Sequence, residues 1–230
     1  MGNKRSVYGA LGASNHSPEL EREKNDFYAT PPVAVNGLLN MLSKHGIYNN
    51  LRNYPVYEPC CGKGHIANIL AEKNFEVIAS DLVPREWTLA PGIIRIDRSV
   101  DFFKVGRVSD GLVPPDYVIP PHASIVTNPP YGMSNDCVRH ALDIVDDGAY
   151  VMMFLKIQFL ETIDRYKLFM KNPPLWVFVC SERMQCAMNG DFEKENQYGG
   201  AVCYAWYVWQ KGYHGYPSID WIPPTKQKNC

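Results

Sequence analysis

Between residues 33 and 210, short apolar runs alternate with longer stretches of helical period, and this alternation leaves few folds open. The runs fall at residues 55–57, 76–80, 92–96, 123–126, 148–155, 175–180 and 201–210, with helix-forming stretches at 33–44, 66–74, 135–145 and 161–170. Strands alternating with helices imply a doubly wound α/β sheet, mostly parallel, with right-handed crossovers. Residues 148–155 are apolar without interruption, which predicts a central strand buried on both faces. For the first helix, Thr30 suits the N-cap, Pro31 the first helical position and Gly46 the C-cap. Ligands of such sheets sit beyond the carboxyl ends of the strands, which is where Glu58, Asp81, Asp101 and Asn128 fall in this reading.

Two stretches carry chemistry at those ends. The first is Thr127-Asn128-Pro129-Pro130-Tyr131, directly after the apolar run at 123–126. Asn128 offers a carbonyl acceptor and an amide donor. Pro129 and Pro130 stiffen the loop, have no N–H, and leave the Pro129 carbonyl as a second acceptor. Tyr131 adds a flat face. Together they suit a planar amine held by two acceptors against a ring; the competing reading is a proline turn after a strand. The second stretch is Glu58-Pro59-Cys60-Cys61-Gly62-Lys63-Gly64-His65, between a short strand and a helix. Glycines let a backbone approach a ligand closely, and a helix start presents free N–H groups. Asp81, ending the next strand, is placed to accept from two ribose hydroxyls, or else to cap a turn. Phe102 and Phe103 read either as a ring contact or as core.

Composition bounds the rest. A chain of 230 residues holds one sizeable α/β domain or two small ones. The formal net charge of -1 gives no global attraction to nucleic acid, so any phosphate-binding surface must be local, with Lys104, Arg107 and Arg139 as the candidates near the strand ends. Seven cysteines, two of them adjacent, form no disulfide framework and favour a reducing cytoplasm. No apolar run is long enough to span a membrane. Cys60, Cys61 and His65 lack the fourth ligand and the spacing of a metal site, and Lys63 lacks the following Ser or Thr of a phosphate loop. Residues 1–24 read as a polar arm, 25–222 as the domain and 223–230 as a tail.

These stretches, taken in order, carry a resemblance. The chain resembles class I S-adenosylmethionine-dependent methyltransferases, and among them the enzymes that methylate adenine N6 in DNA, in the small phage or prophage type. Asp26-Phe27-Tyr28-Ala29-Thr30-Pro31-Pro32 is similar to the segment closing over the methionine part of the cofactor, residues 58–64 to the cofactor loop, and Asn128-Pro129-Pro130-Tyr131 to the catalytic motif. Tyr204-Ala205-Trp206-Tyr207-Val208-Trp209-Gln210-Lys211-Gly212-Tyr213 is similar to the closing strand. The resemblance implies a Rossmann-like fold, a seven-stranded, mostly parallel sheet with an antiparallel final strand. It differs from the pattern at Cys60-Cys61, and no large target-recognition region is visible beyond residues 104–122, 181–200 and the termini.

It also implies roles. Asn128 and Pro129 would accept from the adenine amine, with Pro130 stiffening the loop and Tyr131 stacking on a base flipped out of duplex DNA. Phe192 is a candidate for the opposite face. The cofactor S-adenosylmethionine would be bound by Tyr28, Thr30, Glu58, Cys60, Gly62, Gly64, Asp81, Leu82, Asp101, Phe102 and Asn128, with Asp97 competing for the role of Asp101. The enzyme would work without metal or membrane, as a monomer or homodimer, in the cytoplasm of a bacterial cell or a phage-infected host. Methyl transfer to RNA bases or to protein glutamine, and a catalytically silent nucleic-acid-binding module, are the alternatives.

Overall fold

The computed structural model describes residues 28–86, 90–107, 118–184, 186–188 and 202–225; the arm at 1–24, Asp26, Phe27, Phe192 and the last residues of the tail lie outside them. The elements run β1 (Tyr28–Ala29), α1 (Pro32–Lys44), α2 (Tyr48–Arg52), β2 (Val56–Glu58), α3 (His65–Glu72), β3 (Val77–Asp81), β4 (Ile93–Arg98), β5 (Gly106–Arg107), β6 (Val118–Ile119), β7 (Ser124–Thr127), α4 (Ser134–Ile144), β8 (Tyr150–Lys156), α5 (Ile163–Lys171), β9 (Trp176–Cys180), β10 (Ala187–Met188), β11 (Tyr204–Gln210) and β12 (Ser218–Ile222).

The main sheet has the order β12-β9-β11-β8-β7-β2-β3-β4. β11 runs antiparallel to both its neighbours, and every other pairing is parallel. The seven strands read from the sequence are therefore all present, with β11 the antiparallel one. The eighth, β12, is an addition: residues 218–222, which the sequence did not mark as a strand, form an edge strand beside β9.

Alternation along the central strands feeds two cores. Met152 and Phe154 of β8 and Trp206 and Val208 of β11 meet Ala34, Leu38, Ile66 and Leu70 of α1 and α3. Val151, Met153 and Leu155, with Tyr207 and Trp209, meet Val138, Ala141 and Leu168 of α4 and α5. Both faces of β8 are covered, which is why its sequence is apolar without a break. At the start of α1 the N-cap is Pro31 and the first helical residue Pro32; no side chain caps this end, and Thr30 is buried instead. Gly46, at φ 72°, follows the helix end as expected.

From β2 the chain goes outward through β3 and β4 and then returns to β7 on the other side of β2. Strand order reverses there, so the carboxyl ends of β2 and β7 splay apart and open a crevice. Glu58 ends β2, and Asn128 directly follows β7. No helix among the described residues is long and apolar enough to cross a membrane.

Candidate active site

The crevice is a cleft walled by β1, the loop after β2, the end of β3, the turn after Asp101 and the loop after β7. Of the residues singled out in the sequence, Tyr28, Thr30, Glu58, Cys60, Asp81, Leu82, Asp101, Phe102, Asn128 and Pro130 line it. Pro129, Tyr131, Gly62 and Gly64 do not.

Asn128 is fixed by its own donor. Its Nδ2 gives a hydrogen bond to the carbonyl of Tyr28 at 2.9 Å. That contact orients the amide, and Oδ1 is left buried with no hydrogen-bond partner. A buried acceptor without a donor costs about 1–3 kcal/mol, so this oxygen is suited to a donor brought by a ligand.

Glu58 presents the same situation with a carboxyl group. It is 1% exposed, and its Oε2 has no partner. Burial, helped by the charge of Asp81, holds its pKa well above the usual carboxylate range. A cation entering the cleft would favour loss of that proton and pair with the carboxylate it leaves.

The glycine loop supports the cleft from behind. Gly62 and Gly64 hold φ values of 55° and 75°, a region that side chains disfavour. Cys61 N–H donates to the carbonyl of Ser80, and Gly64 N–H to that of Cys61, so the loop is tied to β3 and closed on itself. Asp81 completes the tie: Oδ2 accepts from Gly62 N–H at 2.7 Å, and Oδ1 from Val83 N–H at 2.9 Å and from Arg85 Nη1 at 3.0 Å. Three of roughly four acceptor positions of a carboxylate are thus filled. One position remains open, where the sequence suggested two hydroxyl contacts; the bonds present show the turn-cap reading of Asp81. Arg85 was missed, although it stands one helical turn's spacing beyond Asp81.

Asp101 accepts from Phe103 N–H and caps the short turn of Phe102–Lys104. Phe102 lines the cleft while only 5% exposed, edge-on to His140 with ring centres 4.9 Å apart, so it is wall and core together. Leu82 is 60% exposed at the rim. Burial raises the thiols of Cys60 and Cys137, the latter to about 12, so at neutral pH they are protonated and poor nucleophiles. Among the described residues no group of His, Cys, Asp and Glu converges as a metal ion needs.

Tyr131 sits in an aromatic cage beside the cleft, behind the lining residues Tyr28 and Pro130. Its ring centre lies 5.6 Å from Tyr28 and 6.1 Å from Tyr204, its hydroxyl reaches Cys186 Sγ, and Lys156 Nζ stands 4.8 Å over the ring. Met133, half-exposed, lines the cleft on that side. Of the cations considered for phosphate contact, Arg139 is held by Asp164 at 3.3 Å, while Lys104 is exposed.

No protein-family model matches this chain, and no curated protein matches it in sequence. Solved structures do match in shape. A protein assigned as an O-methyltransferase from Agrobacterium tumefaciens aligns with TM-score 0.53 at 15% identity, over 83% of this chain and 85% of its own. One assigned as an RNA methyltransferase from Pyrococcus horikoshii aligns with TM-score 0.51 at 13% identity, over 89% and 96%. The methyltransferase subunit of a type I restriction-modification system from Streptococcus thermophilus aligns with TM-score 0.53 at 12% identity, over 82% of this chain and 45% of its own. At such identities the likeness is one of fold: the mostly parallel sheet with one antiparallel strand that S-adenosylmethionine-dependent methyltransferases share.

Proposed function

We propose that this chain transfers a methyl group from S-adenosylmethionine to the exocyclic amine of adenine in DNA. The observation that carries the reading is Asn128 Oδ1, a buried acceptor without a donor at the wall of the cleft, on a loop stiffened by two prolines. An amine hydrogen donated to that oxygen would relieve its cost, and the Pro129 carbonyl would take the second hydrogen. Two acceptors on one amine favour a pyramidal nitrogen and turn its lone pair away from the loop. No strong base is needed.

The cleft suits the cofactor. Glu58 would accept the ammonium of its methionine part, with Tyr28 and Thr30 of the overlying segment beside it. Asp81 would take one ribose hydroxyl on its open position. Asp101 would accept from the cofactor's adenine amine, with Phe102 and Leu82 against that ring. The cofactor supplies a methyl group already activated on a sulfonium, so the chain's work is orientation and exclusion of water.

Replacing Asn128 by Ala should lower single-turnover methyl transfer by roughly 10²–10³, the usual cost of one oriented polar contact in a transition state. Asn128→Asp keeps an acceptor and should transfer faster than Asn128→Ala, but it cannot donate to the Tyr28 carbonyl and should loosen β1. Mass spectrometry of the product nucleosides identifies the acceptor base. Near-normal transfer by Asn128→Ala would overturn the role of the residue. Methylation only of RNA, of protein, or of another base would overturn the substrate.

A further inference from the structure

Lys156 is the last residue of β8, at the carboxyl edge of the sheet and next to β7, the strand that Asn128 follows. Its side chain is half-buried, and its ammonium stands over the face of Tyr131. Four other cations are committed: Lys44 to Asp220, Arg85 to Asp81, Arg139 to Asp164, and Arg165 to the carbonyls of Gln158 and Glu161. Among the described residues no carboxylate pairs with Lys156. A ring face is a weak counterpart for a half-buried ammonium, so this charge has room for an anion.

The chemistry of the cleft says what the anion is. Methyl transfer places positive charge on the acceptor nitrogen, and an ammonium aimed at that nitrogen would oppose the step. The charge is useful only against something negative that the substrate carries alongside its base. A nucleotide held by Asn128 with its base toward Tyr131 carries a phosphate about one sugar away, within reach of a flexible four-carbon stem. On the reading that the substrate is adenine in DNA, we propose that Lys156 binds the backbone phosphate of the nucleotide whose base enters the cleft, leaving the face of Tyr131 as the base arrives. It is a positioning residue: it fixes where the sugar stands and so where the amine meets Asn128, and before binding it covers the apolar ring.

The test is the salt dependence of binding to a mixed-sequence, adenine-containing DNA duplex carrying a fluorescent label. Each phosphate neutralised contributes about 0.9 to the slope of log affinity against log salt. Lys156→Met, which keeps the stem, should reduce the slope by about that amount, raise KM for DNA and leave S-adenosylmethionine affinity and the melting temperature unchanged. Lys156→Arg should restore the slope. If Lys156→Met keeps the full wild-type slope, even with impaired transfer, the residue merely supports Tyr131 and the inference falls. If the wild-type protein binds no DNA at low salt, the DNA reading falls with it, an outcome distinct from a failure of Lys156 alone.

Discussion

Glu58 concentrates the electrostatic cost of the site in one side chain. Its pKa is raised in the folded chain, chiefly by burial, while in the unfolded chain it titrates near the ordinary value of about 4.3. Between those two values the native state holds a proton that the unfolded state has lost, so stability falls as pH rises through that window. Glu58→Gln removes the titration: its thermal stability should decline less from acid to alkaline pH and exceed the wild type's at pH 8, while its S-adenosylmethionine affinity drops. Melting curves across pH, with calorimetry of the cofactor, measure both. A wild type whose pH profile matches that of Glu58→Gln would sink the account. Glu58, Asp81 and Asn128 were legible as residues of the crevice for one reason: each ends or follows an apolar run, and the fold places such ends there. Tyr131 was legible only as to type. Its ring lies in a cage made by Tyr28, Tyr204 and Lys156, residues far apart in sequence, and nothing local to residues 127–131 announces them.

Among the elements, β8 and β12 mark the two limits of what pattern reveals. β8 is buried on both faces, so its composition alone identified it. β12 follows Pro217, precedes Pro223, and turns Ile219 and Trp221 outward while burying Ile222. Its apolar alternation therefore points away from the face that holds it. What docks it is long-range: Asp220 accepts from Lys44 Nζ at 2.7 Å and meets His45 Nε2 at 2.8 Å, contacts that hold its carboxyl down at about 2. A second signal lay in α1, where Gly37 occupies a helix interior at a cost of about 1 kcal/mol relative to Ala. A Cβ there would stand 2.6 Å from Ile222 Cγ2, so the glycine makes room for the edge strand. Gly37→Ala should gain helix propensity and still lose about 1–2 kcal/mol net, because overpacking outweighs it. Faster amide exchange should be confined to residues 218–222, with β2, β7 and β8 unchanged. A raised melting temperature with undisturbed exchange in β12 would show that Ile222 yields at no cost.

At the scale of the molecule, the cleft draws one wall from each of five separate chain segments, and few direct bonds join them across it. Asn128 reaches Tyr28, Asp81 reaches Gly62, Cys61 N–H donates to the Ser80 carbonyl and Val100 N–H to that of Asp81; between these ties lies the open space a ligand would fill. A ligand seated there touches β1, the β2 loop, the end of β3, the Asp101 turn and the β7 loop at once, so its binding free energy should appear in global unfolding rather than in one loop. Binding to the native state alone adds about 2.7 kcal/mol at a hundredfold excess over Kd. For a chain of this size each kcal/mol moves Tm by about 2–4 °C. S-Adenosylmethionine, and its demethylated product with the same adenosine and methionine parts, should each raise Tm by roughly 5–11 °C at that excess. Asp81→Ala should lose part of the shift by freeing the glycine loop and removing the hydroxyl acceptor. NAD, whose pyrophosphate would be brought against Glu58 and Asp81, should give none. Equal shifts with NAD would make the cleft a general nucleotide site, and no shift with either sulfur compound would remove the cofactor from the proposal, whatever the fold resembles.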